Sequence, residues 1–330
     1  MAKLRRVEVN RRQAVAGMLA LLPWGAGLSL AEGNAGHILE NVPYCDMDGG
    51  FCTPTVLKMN FEFHGLKIPA TVLQNLSWNY GFHLSDDGRI AFPTTDPVEQ
   101  IEHAAGVMGY EATVHEHDNM AAATARIKKL VDAGQPAIVQ WIPHTVLAVG
   151  YQGSRVLIHD PKDVGNLDQA RTFGRGAYYA SHPDNWTRPP ALWQIRGYLV
   201  ISLRPTADSA RDSDSIDWAP ILQRNAQRTL GGRERGANFG VAAIRQLAKR
   251  PRGDLPLTGY FGWTARRNAA LFLKSQADER LRKAGQQFAR SASLFQGIYE
   301  GGVDVRDNLQ QIADAEEAAA GLMRQGKIES

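Results

Sequence analysis

Cys52-Thr53-Pro54-Thr55-Val56-Leu57-Lys58-Met59-Asn60-Phe61-Glu62-Phe63-His64-Gly65 is the stretch on which the fold turns. Val56, Met59, Asn60 and Phe63 recur at helical spacing, Pro54 is tolerated in a first helical turn, and Gly65 supplies a stop. The spacing predicts a helix that opens at a cysteine. The N–H groups of a helix's first turn lack intrahelical partners and favour negative charge. Cys52 therefore stands where a thiol is most readily converted to its nucleophilic form, the thiolate.

Far downstream, His144 begins an apolar strand that runs to Tyr151, turns at Gln152-Gly153-Ser154 and returns through Arg155–His159 to Asp160-Pro161. A turn there sets His144 across from Asp160 or one residue off, and a slip of one residue changes the facing side. A carboxylate at that position accepts the imidazole Nδ1–H, fixes the tautomer and leaves Nε2 toward the sulfur. Cysteine, histidine, aspartate is also the chain order in which papain-like thiol enzymes present their groups. The expected catalytic residues are Cys52, His144 and Asp160.

Cys45 and Cys52 are the two cysteines of the chain. In an oxidising compartment a pair closing so short a loop forms a disulfide, and a bonded Cys52 is no nucleophile. A non-catalytic binding or structural protein with Cys45 bonded to Cys52 is thus the alternative to an enzyme.

Around these residues, Asn41 to Pro205 alternates helical and strand-like patterns. Thr71–Tyr80, Val98–Met108 and Met120–Ala133 read as helices, and Gly109–Val114, Pro136–Ile142, Thr145–Tyr151, Arg155–His159 and Leu192–Leu203 as a mostly antiparallel strand set. Residues 206–217 are a linker by composition, rich in Ser, Asp and Ala without apolar period. Beyond it every candidate is a helix: Ile221–Leu230, Phe239–Lys249, Ala265–Gly285, Gln286–Tyr299 and Asn308–Met323. Phe288, Leu294, Phe295 and Tyr299 fall at core spacing.

At 330 residues, with 44% hydrophobic residues, the chain can bury a sizeable core. Residues 1–31 carry Lys3, Arg5, Arg6, Arg11 and Arg12 against Glu8, a net of +4 that leaves −1 for the rest of a chain whose total is +3. No basic stripe with interleaved aromatics remains, so no nucleic-acid partner is expected. Asn10-Arg11-Arg12-Gln13, the apolar run Ala14–Leu30 and Ser29-Leu30-Ala31 resemble a twin-arginine export signal with a peptidase site. The expectation is an exported, periplasmic protein with no stable membrane insertion after cleavage, the alternative being a cytoplasmic one. His115, His117 and Asp118 lie on a strand end and lack a metal-ligand spacing, so neither metal nor other cofactor is called for.

Val42-Pro43-Tyr44 followed by Gly50-Phe51-Cys52 through Gly65 resembles the nucleophile segment of the bacteriocin-processing, C39-like cysteine peptidases. Ala133–Val139, His144–Tyr151 and Val156–Pro161 resemble their histidine and acid segments. Asn238–Ala248 and Ala313–Glu317 are similar to the helical part of butirosin biosynthesis protein H-like proteins, which join a papain-like domain to a helical one. The resemblance implies an α+β, papain-like (C39-like) cysteine-peptidase fold at 36–205 and an all-helical C-terminal domain at 218–330. It further implies acyl transfer through a Cys52 thioester from a peptide, amide or acyl-thioester substrate to water or an amine. The chain departs from the pattern in one respect. Papain-like enzymes place a glutamine about six residues before the nucleophile as oxyanion donor, where Asp46 stands here, and Thr53 replaces the usual glycine after it. The backbone N–H of Cys52, Asn60 or Gln140 would have to substitute.

Overall fold

The computed structural model describes residues 36–47, 51–77, 83–86, 90–91, 97–141, 144–153, 155–161, 179–180, 198–206, 213–234, 236–251 and 255–328. The chain divides into Met1–Asn34 and Ala35–Ser330, and all described elements belong to the second unit. The export signal expected at 1–31 lies outside the described residues, as do Trp78–Tyr80 and 192–197 of two expected elements.

Helix α1 (Cys52–Phe63) starts and stops where its sequence signals predict, with Gly65 beyond it in the left-handed region at φ 86°. Its Val56, Leu57, Met59 and Phe61 are completely buried. Burying each such side chain contributes roughly 1.5–3 kcal/mol of transfer free energy. They pack against one face of a sheet in which every pairing is antiparallel: β4 (Tyr110–His117), β9 (Tyr198–Pro205), β5 (Ala137–Trp141), β6 (His144–Gln152), β7 (Arg155–His159) and β8 (Tyr179–Ala180), in that order, with β1 (Gly36–Ile38) added to β6. Successive residues of a strand face opposite ways. Leu147, Val149, Ile138 and Ile201 accordingly join α1, while Val146, Ala148, Val139 and Val200 meet Ala123, Ile127 and Val131 of α4 (Met120–Asp132) on the other face. Both faces are covered, so these strands read as apolar runs instead of alternating ones.

The β6–β7 hairpin carries a bulge at Val149, because the register shifts between Ala148 and Gly150. The Val149 carbonyl is taken up by Leu39 N–H at 2.8 Å. Gly150 is needed where β1 closes in, since a Cβ there would stand 2.7 Å from the His37 carbonyl oxygen. On the α1 side, α2 (Ala70–Ser77) and α3 (Pro97–Val107) complete the wall.

After Pro205 the described elements are helical, with one exception. Helices α5 (Trp218–Leu230), α6 (Gly240–Lys249), α7 (Leu255–Lys274), α8 (Glu279–Glu300) and α9 (Val305–Met323) are joined by a hairpin of β10 (Gly232–Glu234) and β11 (Ala237–Phe239). The expectation of helix throughout is corrected here. That hairpin pairs with β2 (His83–Ser85), which pairs with β3 (Ile90–Ala91), in a second sheet. The junction is fixed by buried His83, whose Nε2 lies 2.8 Å from Glu234 Oε1, while Arg228 grips the same carboxylate at 2.9 and 3.0 Å. The helices also share the main core, to which Trp218, Ala265, Phe272, Leu281 and Phe288 contribute alongside Leu57 and Ile201.

The break between the two long helices falls at Ser275–Asp278, not at Gly285-Gln286 as the composition predicts. Asp278 accepts from Arg280 N–H and Leu281 N–H and so caps α8. Gly285 lies inside α8, where a Cβ would come within 2.8 Å of Lys274 N; it allows a close helix approach and does not end a helix. Phe288 and Phe295 are buried as expected, Leu294 is partly buried, and Tyr299 is exposed.

Candidate functional site

Cys52 is the first residue of α1, after Phe51, whose extended backbone (φ −115°, ψ 152°) makes it the N-cap. No side chain caps this end. Pro54 has no N–H, and Thr55 N–H is spent on the Phe51 carbonyl at 3.2 Å. The N–H groups of Cys52 and Thr53 are thus the first-turn donors that no cap consumes. The Phe51 ring stacks on Phe261 of α7, centroids 5.9 Å apart, which anchors the entry to the helix in the helical half.

The structure brings the three expected residues together. His144 Nε2 lies 2.6 Å from Asp160 Oδ1. The ring also hydrogen-bonds the Cys52 sulfur. With Nε2 held by Asp160, Nδ1 is the nitrogen that serves the thiol, the reverse of the expected assignment. The bulge puts one extra residue into β6, and the pairing ends at Leu147↔His159; one step further would set Val146 opposite Asp160, which puts His144 and Asp160 on the same face. The imidazole then reaches the acid along a diagonal and meets it with its distal nitrogen.

Segment Asn41–Met47 braces the acid from outside. Tyr44 OH donates to the Asp160 carbonyl at 2.9 Å, Met47 N–H donates to the Pro161 carbonyl at 2.8 Å, and His159 Nδ1 donates to the Pro43 carbonyl at 3.1 Å. Burial pushes His159 down to about 4, so this neighbouring histidine is neutral.

The electrostatics separate the thiol from an ordinary one. Burial pushes Cys52 up, but the hydrogen bond and charge of His144 and the donors of Thr145 outweigh it, and the thiol ends below its ordinary value. Burial likewise pushes His144 down, and hydrogen bonds to Asp160 and Cys52 overcome it and lift the imidazole to about 9. Each group thus favours the charged form of the other, and the two titrate as a coupled pair and not as two separate groups.

Cys45 lies elsewhere. Its sulfur accepts from Lys58 Nζ at 3.4 Å and contacts Glu62 Oε2 at 3.7 Å, along α1, where Lys58 and Glu62 also pair. Both cysteines are free thiols, so the bridge required by the non-catalytic alternative is not formed. Burial pushes the Cys45 thiol up, as expected of an unreactive one.

Two of the three substitute oxyanion donors are in the wrong place. Asn60 is fully buried two helical turns along α1, about 12 Å from Cys52 at 1.5 Å per residue. Gln140 spends its amide on Thr145 and on the His144 carbonyl. Asp46 is exposed. Thr145 was not singled out in the sequence, and Thr53 only as a departure from the usual glycine. Each directly follows a site residue, and their hydroxyls meet 2.9 Å apart. The paired spacing Cys-Thr and His-Thr was the available signal, but only the contact gives it meaning.

His115 and His117 lie on β4, the edge strand of the sheet, where His115 Nε2 meets Ser202 Oγ at 3.3 Å. No group of metal-ligating side chains occurs among the described residues, and no described helix is long and apolar enough to cross a membrane. Clefts of about 530 Å³, beside Lys249, Asp304 and Arg306, and 310 Å³, beside Leu84, Asp86 and Arg250, contain none of the site residues.

Residues 38–187 match the model of the Peptidase_C39 like family. The matched stretch holds Cys52, His144 and Asp160 and ends before α5. This part of the chain is C39-like, and the match suggests cysteine-peptidase-type chemistry on peptide or amide bonds. No curated protein matches the chain.

Proposed function

We propose that residues 36–205 form a papain-like thiol domain that cleaves a peptide or amide bond through a Cys52 thioester. The observation that carries this is the hydrogen-bonded chain from Cys52 through His144 to Asp160, closed by the 2.6 Å contact to the carboxylate. The thiolate adds to the substrate carbonyl carbon. The oxyanion is received by the uncapped N–H groups of Cys52 and Thr53 in place of the missing glutamine. His144 Nδ1–H then protonates the leaving amine as the tetrahedral adduct collapses to the thioester. Water or a second amine adds to the thioester, His144 takes its proton, and Cys52 departs as thiolate. Asp160 holds the ring and stabilises its charged form throughout. Release to water is the reading the peptidase-type match favours; release to an amine makes the same intermediate an acyltransferase. Residues 218–330 form the helical part that packs behind α1 and covers Phe51.

Export through the twin-arginine-like segment at 1–31 belongs to the same proposal, because a periplasmic location favours hydrolysis of peptides over use of a cytosolic acyl donor. A mature N-terminus just after Ala31 in the exported fraction is the expected finding.

Iodoacetamide labelling of the native protein tests the site. Cys52 should label rapidly at pH 6, and Cys45 slowly, with the rapid phase absent from Cys52→Ser. Labelling of both thiols only as pH approaches the ordinary cysteine value of about 8.5 would defeat the proposal.

A further inference from the structure

Three buried polar side chains, Thr53, Thr145 and Gln140, are 3%, 0% and 4% exposed and form one chain beside the thiol. Its direction can be read from the atoms. Gln140 Nε2 donates to the His144 carbonyl at 3.3 Å, which leaves Oε1 as the end facing Thr145, 2.8 Å away. A carbonyl oxygen only accepts, so the Thr145 hydroxyl donates to it. A hydroxyl has one hydrogen. The 2.9 Å contact between the threonines is therefore made with Thr53 donating to Thr145. The same Thr145 also reaches the Cys52 sulfur, from its backbone N–H and from its side chain.

The Thr145 hydroxyl thus has two acceptors, Gln140 Oε1 and Cys52 Sγ, and a single proton to give. A neutral thiol is a weak acceptor and loses to the amide; a thiolate is a strong one. We propose that Thr145 is a switchable donor to the reacting sulfur, turning its hydroxyl from Gln140 to Cys52 as the thiolate forms, with Gln140 as the positioning residue that holds it back. Thr53 donates to Thr145 in both states and polarises its hydroxyl. Each time the thiolate is consumed by the carbonyl carbon the hydroxyl returns to Gln140, so the sulfur is supported as a leaving group but less so as an acyl carrier. This rests on the proposed thiol site and adds to it a residue that the order Cys, His, Asp does not contain. The charged groups that act on Cys52 are His144 from β6 and, through it, Asp160; α1 has no acidic residue in its first turn.

The opposite signs of two variants test it. The readout is the pH midpoint of Cys52 alkylation by iodoacetamide in the full chain, with urea unfolding to confirm each fold. Thr145→Val keeps the shape and the backbone N–H but removes the hydroxyl, and should raise the midpoint by about one pH unit, a tenfold loss of thiolate below the midpoint. Thr145→Ser should restore it. Gln140→Leu removes the competing acceptor and should lower the midpoint, and this lowering should vanish in Thr145→Val/Gln140→Leu. A midpoint unmoved by Thr145→Val, or moved in the same direction by both single variants, overturns the inference while leaving the thiol site intact, provided His144→Ala still raises it. Should Thr145→Val not fold, Thr145→Ala and the Gln140→Leu sign carry the same decision. A midpoint unmoved by His144→Ala removes the site and the inference together.

Discussion

Two of the molecule's ion pairs have similar chemistry and different use. In the helical half, Arg266 of α7 grips Glu316 of α9 with contacts of 2.7 and 3.0 Å, both side chains 2% exposed. Ser291 of α8 donates to the same carboxylate at 2.7 Å, and the guanidinium lies 4.9 Å from the Phe295 ring centroid. In the other half, His144 meets Asp160 at 2.6 Å, its ring 20% exposed. A guanidinium stays charged at any relevant pH, so the first pair can only hold three helices together. An imidazole can gain and lose a proton, and this one is shared with a sulfur. What separates a brace from a working pair is thus the identity of the base and whether a third group competes for it.

The largest expected effect breaks the brace. Arg266→Leu leaves Glu316 charged and buried and should cost about 3–5 kcal/mol in urea unfolding, whereas Arg266→Leu/Glu316→Leu should be near neutral, because the pair's desolvation roughly offsets its attraction. Arg266 Nη1 has no partner among the described residues, which favours the double variant. A double variant as unstable as the single one would show that packing, not charge, dominates at this point.

The next effect concerns the neighbour that must stay neutral. His159 is 1% exposed and held down to about 4 by burial, against an ordinary 6.5. Below 6.5 the unfolded chain takes up the proton more readily than the folded one. Stability is therefore full above that value and is lost as pH falls from 6.5 through about 4, by up to about 3 kcal/mol for this group. His159→Asn, which keeps a donor for the Pro43 carbonyl, should flatten its share of the acid slope in unfolding measured from pH 7 to 4. His103, lowered to about 4 by burial and by Arg224, supplies a parallel slope that remains.

Two smaller effects sharpen the working pair. His144→Ala should slow Cys52 alkylation at pH 6 by about a hundredfold, since the thiolate fraction then follows an unassisted cysteine. Asp160→Asn should leave the thiol reactive but lower the His144 titration, followed by NMR, from about 9 by about one to two pH units. Above its midpoint His144 can no longer protonate a leaving amine, so the alkaline limb of turnover should move down with it.

Much of this was legible in the chain because it is local. α1 is written in the spacing Val56, Met59, Asn60, Phe63, and the proposed triad in a cysteine at a helix start and a hairpin that returns a histidine to an aspartate. The register was not, because one extra residue at Val149 decides that His144 and Asp160 share a face, and no pattern of apolar residues marks a bulge. The Gly285 break was misplaced because a glycine that ends a helix and a glycine that admits a neighbouring backbone look alike until the neighbour is known. Strands β2, β3, β10 and β11 were missed for a related reason: two or three residues each carry no period, and their stability comes from partners far along the chain.

Those four short strands also set a schedule. His83 and Glu234 stand 151 positions apart, and β2 has no partner on that side until β11 exists. At synthesis rates of about 5–20 residues per second, that edge waits on the order of ten seconds or more on a growing chain. The thiol half can assemble its main sheet earlier, but β2 gains its second neighbour only once residues 237–239 exist, so the start of the helical half must be made before this junction can close.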